Sequence, residues 1–338
     1  MNFKPLIIAG PCSAETEKQV LATAKELSEM GVSIFRAGVW KPRTKPSDFQ
    51  GAGKESLQWL KLVQQEFGMK TSVEVANTHH VTLALNAGVD IFWLGARTTT
   101  NPFAVQEIAD ALKGCDVPIL VKNPVTPDVE LWLGAVERLQ NAGIQQIMAV
   151  HRGFGAGDAY YRNNPQWHVP IEFRRRMPDI PMLCDPSHIA GEKSLVTKVA
   201  EQAMQLNYSG LMLEVHCCPS EALSDANQQI TPKELSELLQ NLVVNQTNSK
   251  TEILTQLRRR IDDLDSSLIE IIAQRMKISQ EIGDYKKKNH IAVLQSNRYN
   301  EILQQCINQA ISKNISTDFI KKIYEIIHEE SIKMQFER

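Results

Sequence analysis

Eight times in the first 243 residues a short apolar run gives way to a longer amphipathic stretch, and nothing else in this 338-residue chain restricts its fold as much. The strand candidates are 6–10 (LIIAG), 33–38 (SIFRAG), 71–76 (TSVEVA), 91–96 (IFWLGA), 118–123 (PILVKN), 145–151 (QQIMAVH), 181–186 (PMLCDP) and 210–216 (GLMLEVH). Helical patterns between them include 15–30, 56–67, 102–112, 128–141, 193–206 and 232–242, several closed by a glycine such as Gly31, Gly68 or Gly143. Eight β-then-α units in this length predict an α/β architecture, a closed (β/α)8 TIM barrel over residues 1–243.

Beyond that point the β signal disappears. Residues 244–251 (VNQTNSKT) are polar and aperiodic and read as a linker. Residues 252–338 predict a second, all-α domain of three helices at about 253–288, 297–312 and 317–336, the last with Ser316 as N-cap. In the first of these, Leu254, Leu257, Ile261, Leu264, Leu268, Ile271, Ile278 and Ile282 recur every three or four residues, which draws one apolar seam along the helix. At 1.5 Å per residue that helix is roughly 50 Å long. Fewer than 100 residues cannot cover it, so the seam predicts a homodimer formed through the helical domain.

Bulk properties exclude several kinds of partner. The formal net charge is −2 and no run of like charge exceeds three residues, as at Lys286–Lys288, which suggests neither nucleic acid nor a membrane surface. No apolar run approaches a membrane span, and the opening MNFKPLIIAGPCS reads as a strand rather than a signal peptide, so a cytoplasmic protein with small-molecule ligands is expected. Six cysteines without CxxC spacing form neither a disulfide framework nor a zinc knuckle and suit a reducing compartment.

In a (β/α)8 barrel, chemistry gathers at the C-terminal ends of the strands. This sequence places Cys12, Arg36 with Lys41, Glu74, Arg97, Lys122, His151 with Arg152, Asp185 with His188, and Glu214 there. One strand-end cation is unremarkable, but five around one mouth call for a ligand carrying several negative charges, such as phosphate and carboxylate. Cys12, His188, Glu214 and Asp225 add a thiolate, an imidazole and two carboxylates, a mixed set suited to manganese, iron, cobalt or zinc rather than magnesium or calcium.

In order along the chain, GPCS (10–13), Arg36 followed by KPRT (41–44), GAR (95–97), VKN (121–123), HRG (151–153), DPSH (185–188), EVH (214–216) and ALSD (222–225) resemble 3-deoxy-D-arabino-heptulosonate 7-phosphate (DAHP) synthase of the type I beta kind. The resemblance implies a metal-dependent condensation of phosphoenolpyruvate with erythrose 4-phosphate, with manganese as the first choice of metal. Cys12, His188, Glu214 and Asp225 would hold the metal. Arg36, Lys41, Arg97, Lys122 and Arg152 would bind phosphoenolpyruvate, with Lys41 also catalytic, and Arg43 and Thr44 the sugar phosphate. The synthase that uses arabinose 5-phosphate resembles KANR where this chain has Lys41-Pro42-Arg43-Thr44, which favours erythrose 4-phosphate. Glu74 and His151 are expected to make structural hydrogen bonds. Many relatives of this kind carry a regulatory domain before the barrel, whereas here the first strand starts near residue 6, so feedback control is expected to come from elsewhere.

In the tail, Arg275 occupies a place where the seam calls for another Leu or Ile, costly for a charge without a partner. Lys286 lies 11 residues on, about 20° around the helix, so the two share a side. Arg258 sits about 100° away and would reach the same pocket from a neighbouring subunit. Ser331 and Gln335 share a face of the last helix. Residues 257–275 (LRRRIDDLDSSLIEIIAQR), Lys286, Arg298 and ESIKMQ (330–335) resemble the all-helical chorismate mutase family. That resemblance implies rearrangement of chorismate to prephenate by Arg258, Arg275, Lys286, Arg298, Ser331 and Gln335, with no cofactor. Arg258, Arg275 and Arg298 would grip its carboxylates, and Lys286 and Gln335 would donate to the ether oxygen. Gln295 and Tyr299 stand where relatives often place a carboxylate. Two functions are therefore open for the tail: a mutase that also senses prephenate, or a dimerisation and allosteric module alone.

Overall fold

The computed structural model describes residues 5–41, 47–155, 160–242 and 252–336. The chain divides into two compact units, one up to Thr247 and one from Asn248. The expected linker, 244–251, lies outside the described residues.

The first unit is a closed barrel of eight parallel strands in sequence order, β1 (Leu6–Gly10), β2 (Ile34–Arg36), β3 (Lys70–Glu74), β4 (Ile91–Leu94), β5 (Ile119–Lys122), β6 (Ile147–His151), β7 (Met182–Cys184) and β8 (Gly210–Glu214), with β8 pairing back onto β1. All eight expected strands form, generally shorter than the apolar runs because their last residues turn into the mouth. Helices the sequence pattern left unread are Thr78–Ala87, Ala96–Thr99, His168–Arg176 and Pro186–Ala190. Polar caps set the starts of several helices. Asn77, Asn101 and Asp128 each accept a hydrogen bond from the first turn of the helix they precede, and Thr231 with Glu234 forms a capping box.

Strand periodicity decides which side chains reach the mouth. A plug of Ile8, Ile34, Ile91, Trp93, Leu120, Val150, Leu183 and Met212 fills the barrel interior, separate from the larger core between strands and helices. Two residues past Ile34, Leu120, Val150, Leu183 and Met212 come Arg36, Lys122, Arg152, Asp185 and Glu214, on the same inward side one layer higher. His151 and Cys184 fall on the alternate parity and point into the outer core.

The second unit is three helices, Glu252–Lys288, Ser296–Ser312 and Thr317–Phe336, matching expectation within a residue or so. Phe319 N donates to Ser316 Oγ at 3.4 Å, in line with the expected cap. The last helix packs on the C-terminal half of the first, and Gly283 makes the close approach possible: a Cβ there would stand 2.9 Å from Gln335 Cα. The seam residues Leu257, Ile261, Leu264, Leu268, Ile271, Ile278 and Ile282 are 44–69% exposed, so the three-helix unit does not cover them by its own packing. No helix among the described residues is long and apolar enough to cross a membrane, and all six thiols are free.

Candidate active site

The mouth of the barrel holds a cavity of about 380 Å³ lined by Lys41, Asp48, Glu74, Arg97, Lys122, Arg152, Arg162, Asn163, His188 and Asp225. Four of the five expected cations thus meet in one space. The fifth, Arg36, lies beneath it, 1% exposed, with its guanidinium 5.0 Å from the Trp93 ring centroid. Its Nη2 donates to Glu214 Oε1 at 3.1 Å, while Nε and Nη1 are buried without a partner. Breaking such a buried pair by removing one member strands the other charge, at a cost of about 3–5 kcal/mol.

The crowding expected from the sequence is partly offset inside the protein. Lys122 Nζ donates to Asp185 Oδ2 at 2.8 Å, so two of the five cations carry buried carboxylates of their own. Against the penalty of burial, the charges of His188 and Lys122 hold the Asp185 carboxyl well below the usual range. Arg152 is less well served. Burial draws its pKa down to about 10 although Asp185 opposes the shift, and Arg162 and Arg97 reinforce it. A cation in that state gains from an incoming anion. Arg43 and Thr44 lie outside the described residues.

Beside the cations, Cys12 Sγ, Glu214 and Asp225 place donor atoms within 4.8 Å of one another. Cys12 Sγ donates to Asp225 Oδ2 at 3.3 Å and accepts from Lys41 Nζ at 3.0 Å. His188, the fourth expected donor, stands at the edge of this group. Its Nε2 is 3.7 Å from Glu214 Oε1, and its Nδ1 is 2.8 Å from Asp185 Oδ2. Burial, then the nearby Glu214 carboxylate, pushes the Cys12 thiol up to about 12. Against burial, Arg162, His188 and Lys41 hold Asp225 well below its ordinary range, and His188, Arg36 and Lys41 lower Glu214. Burial lowers the His188 pKa, and the Asp185 and Glu214 carboxylates oppose that shift. Two carboxylates whose charged form is favoured, an imidazole and a buried thiol, brought together at one rim, are a donor set that fits a borderline divalent ion.

Asp225 has φ 46° and ψ 39°, a left-handed conformation that costs an L-residue about 1–2 kcal/mol. The surrounding loops pin it there. Gln229 Oε1 accepts from Cys12 N at 2.9 Å, its Nε2 donates to Ser224 O at 2.8 Å, and the Ser13 and Ser224 hydroxyls touch.

The other two polar residues of the rim make the structural bonds expected of them. Trp93 Nε1 donates to Glu74 Oε2 at 3.1 Å. His151 Nε2 donates to Pro165 O at 2.7 Å, and its Nδ1 accepts from Tyr208 at 3.1 Å. Burial lowers its pKa to about 3, so it remains neutral.

In the helical unit, Arg275 hydrogen-bonds the Ser331 hydroxyl, and Lys286 Nζ donates to Gln335 Oε1 at 3.2 Å and to Val293 O at 2.7 Å. A second cavity of about 380 Å³, lined by Ile278, Ile282, Tyr285, Lys286 and Gln295 among others, opens beside Lys286. Arg258 and Arg298 are exposed, Arg298 paired with Glu301 at 3.0 Å, and neither is joined to Arg275 or Lys286 by a contact among the described residues. Tyr299 stacks on His328, ring centroids 4.1 Å apart.

Comparison with known proteins bears on both units. The pattern of the DAHP synthetase I family matches residues 2–251. The chain belongs to the DAHP synthetase I family. Residues 257–336 match chorismate mutase type II, so a DAHP synthase barrel is joined to a chorismate mutase domain. A phospho-2-dehydro-3-deoxyheptonate aldolase of Thermotoga maritima is 33% identical over 237 residues, covering 70% of this chain and 68% of that protein. The crystal structure of the Thermotoga maritima enzyme superposes with a TM-score of 0.64 at 31% identity, over 71% of this chain and 68% of the other. A 2-dehydro-3-deoxyphosphooctonate aldolase of Desulfotalea psychrophila is 26% identical over 261 residues, covering 70% of this chain and 88% of that protein.

In this DAHP synthase barrel the sequence reading missed Arg162, Asn163 and Gln228. Arg152 Nη1 donates to Asn163 Oδ1 at 2.7 Å, and Asn163 Nδ2 donates to His188 O at 2.6 Å. The two residues 162 and 163 follow a strand end by a whole loop, where no periodicity applies, and only the adjacent pair of polar types in YYRNN offered a signal.

Proposed function

We propose that the barrel condenses phosphoenolpyruvate with erythrose 4-phosphate, releasing phosphate, in a metal-dependent reaction, and that the helical domain rearranges chorismate to prephenate. The observation that carries the first half is the meeting of Lys41, Arg97, Lys122 and Arg152 in one cavity beside the cluster of Cys12, Glu214 and Asp225. When bound by that cluster with His188, a divalent ion, manganese first and otherwise iron, cobalt or zinc, supplies Lewis acidity toward the aldehyde. The cations hold the phosphate and carboxylate of phosphoenolpyruvate so that its methylene carbon faces the aldehyde carbon, and Arg36 stiffens the floor through Glu214. Lys41, between Cys12 and the cavity, is placed to serve both the donor cluster and the substrate. Arg43 and Thr44, by the family resemblance, hold the sugar phosphate.

Because some relatives are named for the octulosonate reaction, the aldehyde is the sharpest test. Turnover with erythrose 4-phosphate is expected to exceed that with arabinose 5-phosphate by roughly hundredfold. Equal rates in a phosphate-release assay would reject the assignment.

For the mutase, the exposed seam favours a homodimer in which Arg258 of a second copy completes a pocket begun by Arg275, Lys286, Ser331 and Gln335, with Arg298 at its edge. The neutral Gln295 and Tyr299 weaken the hold on the substrate hydroxyl. Free thiols, Cys12 above all, suit a reducing cytoplasm. Prephenate held in the same domain also regulates the barrel in this reading: its binding free energy differs between two arrangements of the chain, and the condensation rate follows. Saturating prephenate is expected to slow condensation several-fold in the full chain and not in a chain ending at residue 244. Equal sensitivity of the two would remove the regulatory role, and absence of chorismate turnover would leave the tail as a dimerisation and binding module alone.

A further inference from the structure

The three acidic donors at the mouth each have a cation beside them: Lys41 on Cys12 at 3.0 Å, Arg36 on Glu214 at 3.1 Å and Arg162 on Asp225 at 3.1 Å. The first two were expected to bind substrate. Arg162 was not, and its bonds show a different task.

We propose that Arg162 is a positioning residue that fixes both carboxylates of the donor cluster, Asp225 directly and Glu214 through Gln228, so that each turns one chosen oxygen toward a divalent ion. The inference deepens the metal-dependent reading above and rests on it. Arg162 Nη1 donates to Asp225 Oδ1, which leaves Oδ2 facing Cys12 Sγ at 3.3 Å. The same nitrogen donates to Gln228 Oε1, and Gln228 Nε2 donates to Glu214 Oε2, which leaves Oε1 on the side of Arg36 and His188. The amide orientation follows from chemistry: a guanidinium only donates and an ionised carboxylate only accepts, so the fully buried Gln228 has one way to bridge them. Without this tie the two carboxylates, whose donor atoms lie within 4.8 Å, repel one another, and Asp225, in a left-handed backbone conformation, keeps only the Cys12 S–H bond at 3.3 Å to orient its side chain.

The arm that carries Arg162 is built for this placement. Its backbone N–H and that of Asn163 donate to Ala190 O and Ile189 O, each at 3.3 Å, mounting the arm on the short helix that also carries His188. The aliphatic stem of Arg162 lies against Gly191, at φ +75°, where any Cβ would collide with it. Helix end, glycine and arm therefore set the guanidinium where the donors need it. Outer hydrogen-bond partners of this kind typically alter metal affinity 10–100-fold.

Cobalt(II) is a suitable probe, because thiolate ligation gives a charge-transfer absorption independent of turnover. Titrating the metal-stripped full chain should develop that band, and Cys12→Ser should abolish it. Arg162→Met keeps the stem against Gly191 and removes the head. It is expected to weaken cobalt affinity roughly 10–100-fold and to alter the band, and Arg162→Lys should recover part of the loss. Wild-type affinity and spectrum in Arg162→Met would overturn the positioning role while leaving the metal reading intact. A wild-type protein without a thiolate band, or a band that survives Cys12→Ser, would overturn both.

Discussion

Cys12→Ala is expected to lower the condensation rate by roughly hundredfold or more while chorismate turnover in the same preparation stays unchanged. Stripping the protein with a chelator should do likewise, and restoring manganese should recover the chelated wild type but not the variant. The expectation follows from the electrostatics of the mouth. Cys12 is fully buried, its thiol is pushed up to about 12 by burial and by Glu214, and its neighbours in the cluster are two carboxylates. A thiol so placed is a poor nucleophile and a poor acid near neutral pH, so positive charge on the sulfur is the condition for its becoming a ligand. The apolar Ala removes one donor while the Glu214 and Asp225 carboxylates remain, which separates loss of ligation from loss of the whole site. Condensation indifferent to both chelator and substitution would mean that the cluster has a structural purpose only.

Much of this site was legible in the sequence because a barrel converts position along a strand into position in space. Ile34, Leu120 and Met212 form the inner plug, so Arg36, Lys122 and Glu214, two residues on, must rise into the mouth on the same face. The same parity explains why His151 serves the outer core while Arg152 lines the cavity. Pairing between strands was beyond reach. That Arg36 meets Glu214, 178 residues away, or that Lys122 meets Asp185, depends on the closure of the barrel rather than on any local pattern. Arg162 and Gln228 were out of reach for a further reason: Arg162 sits in a loop and Gln228 ends a single 3-10 turn, Ala226–Gln228, both after strand ends and too short to show a period. In the tail the apolar seam revealed the helix, but its 44–69% exposure means that packing among the three helices does not account for the seam, and the sequence alone does not say what does.

Arg275→Ala should remove chorismate turnover by roughly 10²–10³-fold and leave condensation at the barrel near its wild-type rate. In the helical unit Arg275 rests on a neutral partner, the Ser331 hydroxyl, and no carboxylate is paired with it among the described residues. A guanidinium held half-buried against an uncharged group keeps its charge available for an incoming carboxylate, whereas Arg298, already bound to Glu301 on the surface, competes for its own. Lys286 is likewise held by Val293 O and Gln335 Oε1, so in the proposed role its ammonium would need little reorganisation as negative charge develops. The far-ultraviolet circular dichroism of the variant should match the wild type, since the Arg275 contact is one hydrogen bond in a three-helix unit packed mainly through other residues. Full chorismate turnover in a folded Arg275→Ala protein would place the mutase pocket elsewhere. Loss of condensation together with turnover would show instead that the substitution acts on the whole chain rather than on one domain.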